Sequence, residues 1–98
     1  MGKAFISALE LYLFLLDKYG DRLKFYNISS NITNEIIGEI DGYPFEIRYK
    51  RATFFNIQAS SEILDELEAY LLEAVDFNKF PIYEETITNN KVYKKLHM

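Results

Sequence analysis

Residues 36 to 50 constrain the fold of this chain more than any other stretch. They read Ile-Ile-Gly-Glu-Ile, then Asp41-Gly42, then Tyr-Pro-Phe-Glu-Ile-Arg-Tyr-Lys. Asp-Gly tolerates positive φ at both central positions of a two-residue turn, the type I′ geometry that matches strand twist. After it, Tyr43, Phe45, Ile47 and Tyr49 alternate with Pro44, Glu46, Arg48 and Lys50. Period two predicts a strand with one buried face. A two-residue turn also sets the pairing: Ile40 opposite Tyr43, Gly38 opposite Phe45 and Ile36 opposite Ile47, all inward. Glu35 then faces Arg48 on the outer side, a favourable cross-strand pair.

The neighbouring strands follow from that register. Phe54 to Ala59 matches apolar to apolar when Tyr49 meets Phe55, Ile47 meets Ile57 and Phe45 meets Ala59. A slip of one residue would turn Asn56 and Gln58 into the core. Pro44 then opposes Ser60, beyond the strand's end, where its missing N–H removes no ladder bond. An earlier strand, Leu23 to Ser29, pairs with Thr33 to Ile40. Its inner face is open between Leu23/Phe25 and Tyr26/Ile28.

Two helices flank this sheet in the sequence. The first is predicted from Lys3 to Tyr19, stopped by Gly20, with Lys18 favourably placed in its last turn. Residues 11 to 16, Leu-Tyr-Leu-Phe-Leu-Leu, have no polar break. Its polar residues Lys3, Ser7, Glu10 and Asp17 form one stripe, so the apolar arc is wider than one core face needs. In a domain this small few positions are enclosed all round. The surplus predicts a homodimer, with Tyr12, Leu13 and Leu16 turned inward and Leu11, Phe14 and Leu15 turned toward a second copy, joined by Leu72. The second helix is predicted from Ser60 or Ser61 as N-cap to about Asp76. Ile63, Leu64, Leu67, Tyr70, Leu71, Ala74 and Val75 make its inner stripe. Asn78 and Pro81 mark its exit. Its other face carries Glu62, Asp65, Glu66, Glu68, Glu73 and Asp76, an acidic docking face.

The tail reads as a hairpin, Ile82 to Thr88 and Lys91 to Leu96 about Asn89-Asn90. A two-residue turn there sets Ile87 against Val92, Glu85 against Lys94 and Glu84 against Lys95. The whole is expected to be one α+β domain, residues 1–98, in the order α-β-β-β-β-α-β-β. Its helices would pack on one face of a four-stranded, mostly antiparallel sheet, followed by the separate C-terminal hairpin.

Chemistry is sparse. There are no cysteines, which removes thiol catalysis, disulfides and zinc-thiolate sites. The one histidine, His97, stands beside the C-terminus with no serine at a nucleophile's spacing. Acids spaced along one helix splay apart, unlike the converging oxygens of a cation site. No catalytic, cofactor-binding or metal-binding residue is therefore expected, although carboxylates converging in the fold could still make an enzyme. A net charge of −4 disfavours sequence-independent polyanion binding. The apolar stretch near the N-terminus is too short to span a membrane and lacks a cleavage signal, so a cytoplasmic location is expected. Arg48, Lys50, Arg51, Lys91, Lys94 and Lys95 interleave with aromatics as in single-strand binders, which makes DNA or RNA contact the alternative.

Phe, Ile, Tyr, Asn and Lys together make 42 of the 98 residues. In this composition the chain resembles the small, cysteine-free, Ile- and Tyr-rich proteins of viruses that infect thermophilic archaea. That resemblance implies an accessory protein acting on host or virion partners, and no particular activity. The sequence thus points to a non-enzymatic interaction protein, one concrete form being an inhibitor of a host nucleic-acid-binding complex.

Overall fold

The computed structural model describes residues 7–75, 80, 82–87 and 95–97. In order these form helix α1 (Ala8–Tyr19), a 3₁₀ turn (Gly20–Arg22), strands β1 (Leu23–Ser30), β2 (Asn34–Ile40), β3 (Tyr43–Lys50) and β4 (Phe54–Ala59), helix α2 (Ser61–Ala74), and strands β5 (Ile82–Ile87) and β6 (Lys95–His97). The strands lie side by side in chain order in one mixed sheet.

The central hairpin forms as its turn chemistry requires. Asp41 and Gly42 both have positive φ, 54° and 84°. Ile40 meets Tyr43, Gly38 meets Phe45, Ile36 meets Ile47 and Glu35 meets Arg48. The β3–β4 register is also the expected one, with Tyr49 on Phe55, Ile47 on Ile57 and Phe45 on Ala59. The Ser60 N–H donates to the Pro44 carbonyl just past the strand end. The inner residues of β2, β3 and β4 and the buried faces of both helices form one core, which places both helices on the same side of the sheet.

Strand β1 resolves its ambiguous face with a bulge. Phe25 pairs with Gly38 and Asn27 pairs with Ile37, leaving Tyr26 as the extra residue. The pleat is thereby reset. Before the bulge Leu23 is buried and Phe25 lies on the helix side at the sheet's margin, 47% exposed, and after it Ile28 packs against the core.

The C-terminal half differs from the expected separate hairpin. β5 lies parallel beside β4, with Phe54 opposite Ile82 and Ala59 opposite Ile87. α2 is the crossover that makes a parallel neighbour possible. β6 then pairs antiparallel with β5, so that among the described residues the sheet has six strands and not four. Thr86 faces Lys95, Glu85 faces Leu96 and Glu84 faces His97, two residues displaced from the expected pairing. The proposed turn at Asn89-Asn90 and the Ile87–Val92 pair lie outside the described residues.

α1 begins later than expected. Ser7 is its N-cap, with extended backbone, and its Oγ accepts the Glu10 N–H at 3.3 Å. The expected start at Lys3 lies outside the described residues. Ser30 Oγ on β1 accepts the Ala8 N–H at 2.8 Å, and the Tyr49 hydroxyl on β3 donates to the Ser7 carbonyl at 2.7 Å. The helix start is thus tied to the sheet, through the Ala8 N–H that would otherwise lack a partner and through the Ser7 carbonyl, which also accepts from the Leu11 N–H. Gly20 closes the helix with φ of 53°, its N–H donating to the Leu16 carbonyl. α2 keeps its predicted inner stripe, with Ile63, Leu64, Leu67, Leu71 and Val75 buried and Tyr70 and Ala74 half-buried. Ser60 is its N-cap, and its carbonyl accepts from Ile63 and Leu64. α2 ends at Ala74, with Val75 extended as its C-cap, two residues short of the expected Asp76; Asn78 and Pro81, expected to mark its exit, lie outside the described residues.

Candidate functional site

Among the described residues the helices cover one face of the sheet and leave the other open. The open face is built by alternation: Glu35, Ile37 and Glu39 from β2, Pro44, Glu46, Arg48 and Lys50 from β3, and Phe54, Asn56 and Gln58 from β4 project from it. The β1 bulge adds Tyr26. It depends on Gly38, because a Cβ there would lie 2.3 Å from the Lys24 carbonyl oxygen. The Glu39 carboxylate beside the Tyr26 hydroxyl raises the phenol's pKa. Tyr26 stands beside a depression of about 280 Å³ lined also by Ile37, Pro44, Glu46 and Gln58. Partial burial raises the Glu46 pKa, the nearby Glu35 adds to it and Arg48 opposes it. Arg48 Nε reaches Glu35 at 3.4 Å and Glu46 at 3.9 Å. A second depression of about 360 Å³ lies among Arg48, Phe54, Asn56, Ile82 and Glu84, and Gln58 borders both.

The helix layer has a different character. The Phe14 ring stacks on Tyr70 with centroids 4.4 Å apart, and the Tyr70 hydroxyl donates to the Phe14 carbonyl at 2.9 Å. Tyr19 meets the same Tyr70 edge-on, and Lys18 Nζ sits 4.9 Å from its ring centroid. Burial pushes the Tyr19 phenol up to about 12, and Glu66 adds to the shift. Arg22 grips Asp41 through three hydrogen bonds of 2.7 to 3.1 Å and reaches Glu66 at 3.7 Å. It therefore joins the central hairpin to α2. Its hydrogen bond holds the Asp41 carboxyl below its ordinary value.

This packing corrects the expected dimer face. Leu11 and Leu15 are fully buried in the core of the single chain, and Phe14 is taken up between the helices. Leu13, expected inward, is 53% exposed, as is Leu9 at 55%. Tyr12 and Leu16 pack at the margin of the core. The actual outward strip on α1 is Leu9 and Leu13, one turn apart. It faces away from α2, and Tyr12 beside it meets Phe25 of β1 edge to face at 4.6 Å. Leu72 is exposed as expected. Its position opposite the Tyr70 side of α2 puts it on the far flank, away from the α1 strip.

On the expected acidic face, Glu62, Asp65, Glu66 and Glu73 are exposed and Glu68 is half-buried. The Ser60 hydroxyl donates to Glu62. Asp76 lies outside the described residues. Among the described residues no group of three or more acids or histidines could hold a metal ion, and no helix is long and apolar enough to cross a membrane. Of the basic set, Arg48 and Lys50 share the open face and Arg51 is exposed in the turn that follows. Arg48 is engaged by two carboxylates. Lys95 lies in β6, opposite Thr86 rather than Glu84. Lys91 and Lys94 lie outside the described residues. No protein-family profile, curated protein or solved structure matches this chain.

Proposed function

We propose that this chain is a non-enzymatic interaction protein that self-associates through the α1–β1 flank and presents its remaining surfaces to a macromolecular partner. The observation that carries this reading is the strip formed by Leu9, Leu13, Tyr12 and Phe25. It combines exposed apolar side chains on α1 with the edge of β1, the first strand of the sheet and unpaired on that side among the described residues. Contiguous apolar surface next to an open strand edge is where chains pair. Glu10, three residues before Leu13, and Asp17, four residues after it, flank this strip on the helix, so a second copy would seat its apolar contact between two solvent-exposed acids. The acidic outer face of α2 suits a partner with a basic surface, such as a nucleic-acid-binding protein, in keeping with an accessory or viral role.

Sedimentation velocity tests the self-association. The expected result is a dimer at tens of micromolar, reduced to a monomer by Leu13→Glu and unchanged by Leu72→Ser. A wild-type monomer at that concentration overturns the reading. Direct nucleic-acid binding is a second reading, favoured by Lys50 lying across the ladder from Phe54 on the open face. A filter-binding salt titration separates the two, because retention of single-stranded DNA at low salt is expected only of the second.

A further inference from the structure

The open face of the sheet holds a feature that self-association does not use. We propose that the depression between Tyr26 and Glu46 is the docking site for a lysine or arginine side chain carried on an extended segment of a partner protein. Size is the first argument. A volume of about 280 Å³ falls below the roughly 300–1,000 Å³ of small-molecule sites, which suits one long side chain better than a cofactor. Lining is the second. Ile37 and Pro44 offer an apolar floor for a methylene stem, and the Tyr26 ring stands at the rim, where aromatic faces attract cations.

Charge is the third argument. Glu35, Glu39 and Glu46 all project from this face. Arg48 serves two of them, at 3.4 and 3.9 Å, and Lys24 stands across the ladder from Glu39. Lys50, the third base on this face, stands two residues beyond Arg48 on β3 and away from the depression; beside the depression itself three carboxylates meet two bases, and Glu46 is partly desolvated beside Glu35. An incoming cation offsets both effects. A phosphate backbone would meet the same carboxylates with repulsion. Gln58 borders the second depression as well, so a segment crossing the sheet from the first site can continue into it. There Phe54 and Ile82 would meet an apolar neighbour of the basic residue.

The test pans a random dodecapeptide library against the full-length chain, counter-selected on the Glu46→Lys variant. Recovered peptides are expected to share a lysine or arginine next to an apolar residue. Labelled copies should lose about tenfold in affinity by fluorescence anisotropy on Glu46→Lys. Glu46→Gln, which keeps the shape, should cost a smaller factor in the same direction, and Glu73→Gln on α2 should cost nothing. Amide NMR spectra confirm that each variant is folded and should place the peptide-induced shifts at Ile37, Glu46 and Gln58. An empty selection, an acidic or uncharged consensus, or equal binding by Glu46→Lys overturns the proposal. So does a single-stranded oligonucleotide that shifts the same amides. Panning repeated on the Leu13→Glu chain reads loss of peptide binding separately from loss of self-association.

Discussion

Gly38→Ala is the sharpest test of how this chain builds its open face. The added Cβ would lie 2.3 Å from the Lys24 carbonyl oxygen and 3.0 Å from the Phe25 Cα. Both neighbours are backbone, so no side chain can swing aside. Ordinary contact begins near 3.4 Å, and the Lys24 carbonyl must therefore retreat by about 1 Å. A displacement of that size takes a 2.9 Å ladder bond to nearly 4 Å, where it no longer counts as one. Crowding of this kind costs about 1–3 kcal/mol, and each lost ladder bond adds about 0.5–1.5. The stiffer unfolded chain returns about 0.4–1. The net expectation is a loss of about 2–3 kcal/mol. For a domain of this length that lowers Tm by roughly 10–20 °C, at about 4–8 °C per kcal/mol. Thermal and urea unfolding followed by circular dichroism measure it, with the near-ultraviolet tyrosine band reporting on Tyr26. A variant within about 0.5 kcal/mol of wild type would show that β1 does not depend on this close approach, and the account of Tyr26 would fall with it.

Three further outcomes follow from particular side chains. Leu11→Ala should cost about 2–5 kcal/mol, because Leu11 is fully buried, whereas Leu13→Ala should stay within about 0.5 kcal/mol in a monomeric background; the reverse ranking in urea melts would restore the opposite helix rotation. Tyr19→Phe should be neutral or stabilising by up to about 1 kcal/mol at pH 7, since the buried Tyr19 hydroxyl has no hydrogen-bond partner among the described residues. Wild-type stability should also decline as pH rises from 10 toward about 12. Over that range the unfolded chain releases the Tyr19 proton and the folded chain retains it. An unchanged alkaline slope in Tyr19→Phe would refute this. Asp41 behaves in the opposite sense. Its lowered pKa contributes stability above the unfolded value of about 3.9, lost as pH falls through the folded one. The difference in urea midpoint between wild type and Asp41→Asn should therefore shrink in acid, and a constant difference down to pH 2 would count against the Arg22–Asp41 pair.

What could be read in advance divides along physical lines. The β2–β3–β4 registers were legible because the Asp41-Gly42 turn fixes one pairing and apolar alternation excludes the odd slips. The rotation of α1 was not. Leu11 to Leu16 offer no polar residue to mark the outward side, and the choice was made elsewhere, by Tyr70 on α2 taking up Phe14. Ser7 followed by Glu10 three residues later carried a capping signature that could have placed the helix start. The 22 residues between β4 and β5, with a helix inside, likewise carried the signal of a parallel crossover. The bulge at Tyr26 had no local signal beyond two competing inward pairs. Gly38, which permits it, lies on the neighbouring strand. The site around Glu46 therefore required the fold before it could be seen, since Tyr26, Ile37, Pro44 and Gln58 come from four different strands.

The two proposed surfaces meet at β1, and their geometry has a consequence for affinity. Two copies joined edge to edge through antiparallel β1 strands are related by an axis perpendicular to the sheet, so both open faces look the same way. Both Tyr26–Glu46 depressions would then lie on one continuous surface, each close to the shared edge. A peptide with two basic motifs on a linker long enough to span them would bind its second site at an effective concentration near millimolar. Its affinity for the wild-type chain should exceed that of the single-motif peptide by about 10²-fold or more. On the Leu13→Glu chain, where the sites are separate molecules, the two peptides should differ by little more than the statistical factor of about two expected without such linkage. Equal gain in both chains would mean that the sites do not face the same way, and would exclude the β1 edge as the dimer contact even if sedimentation shows a dimer.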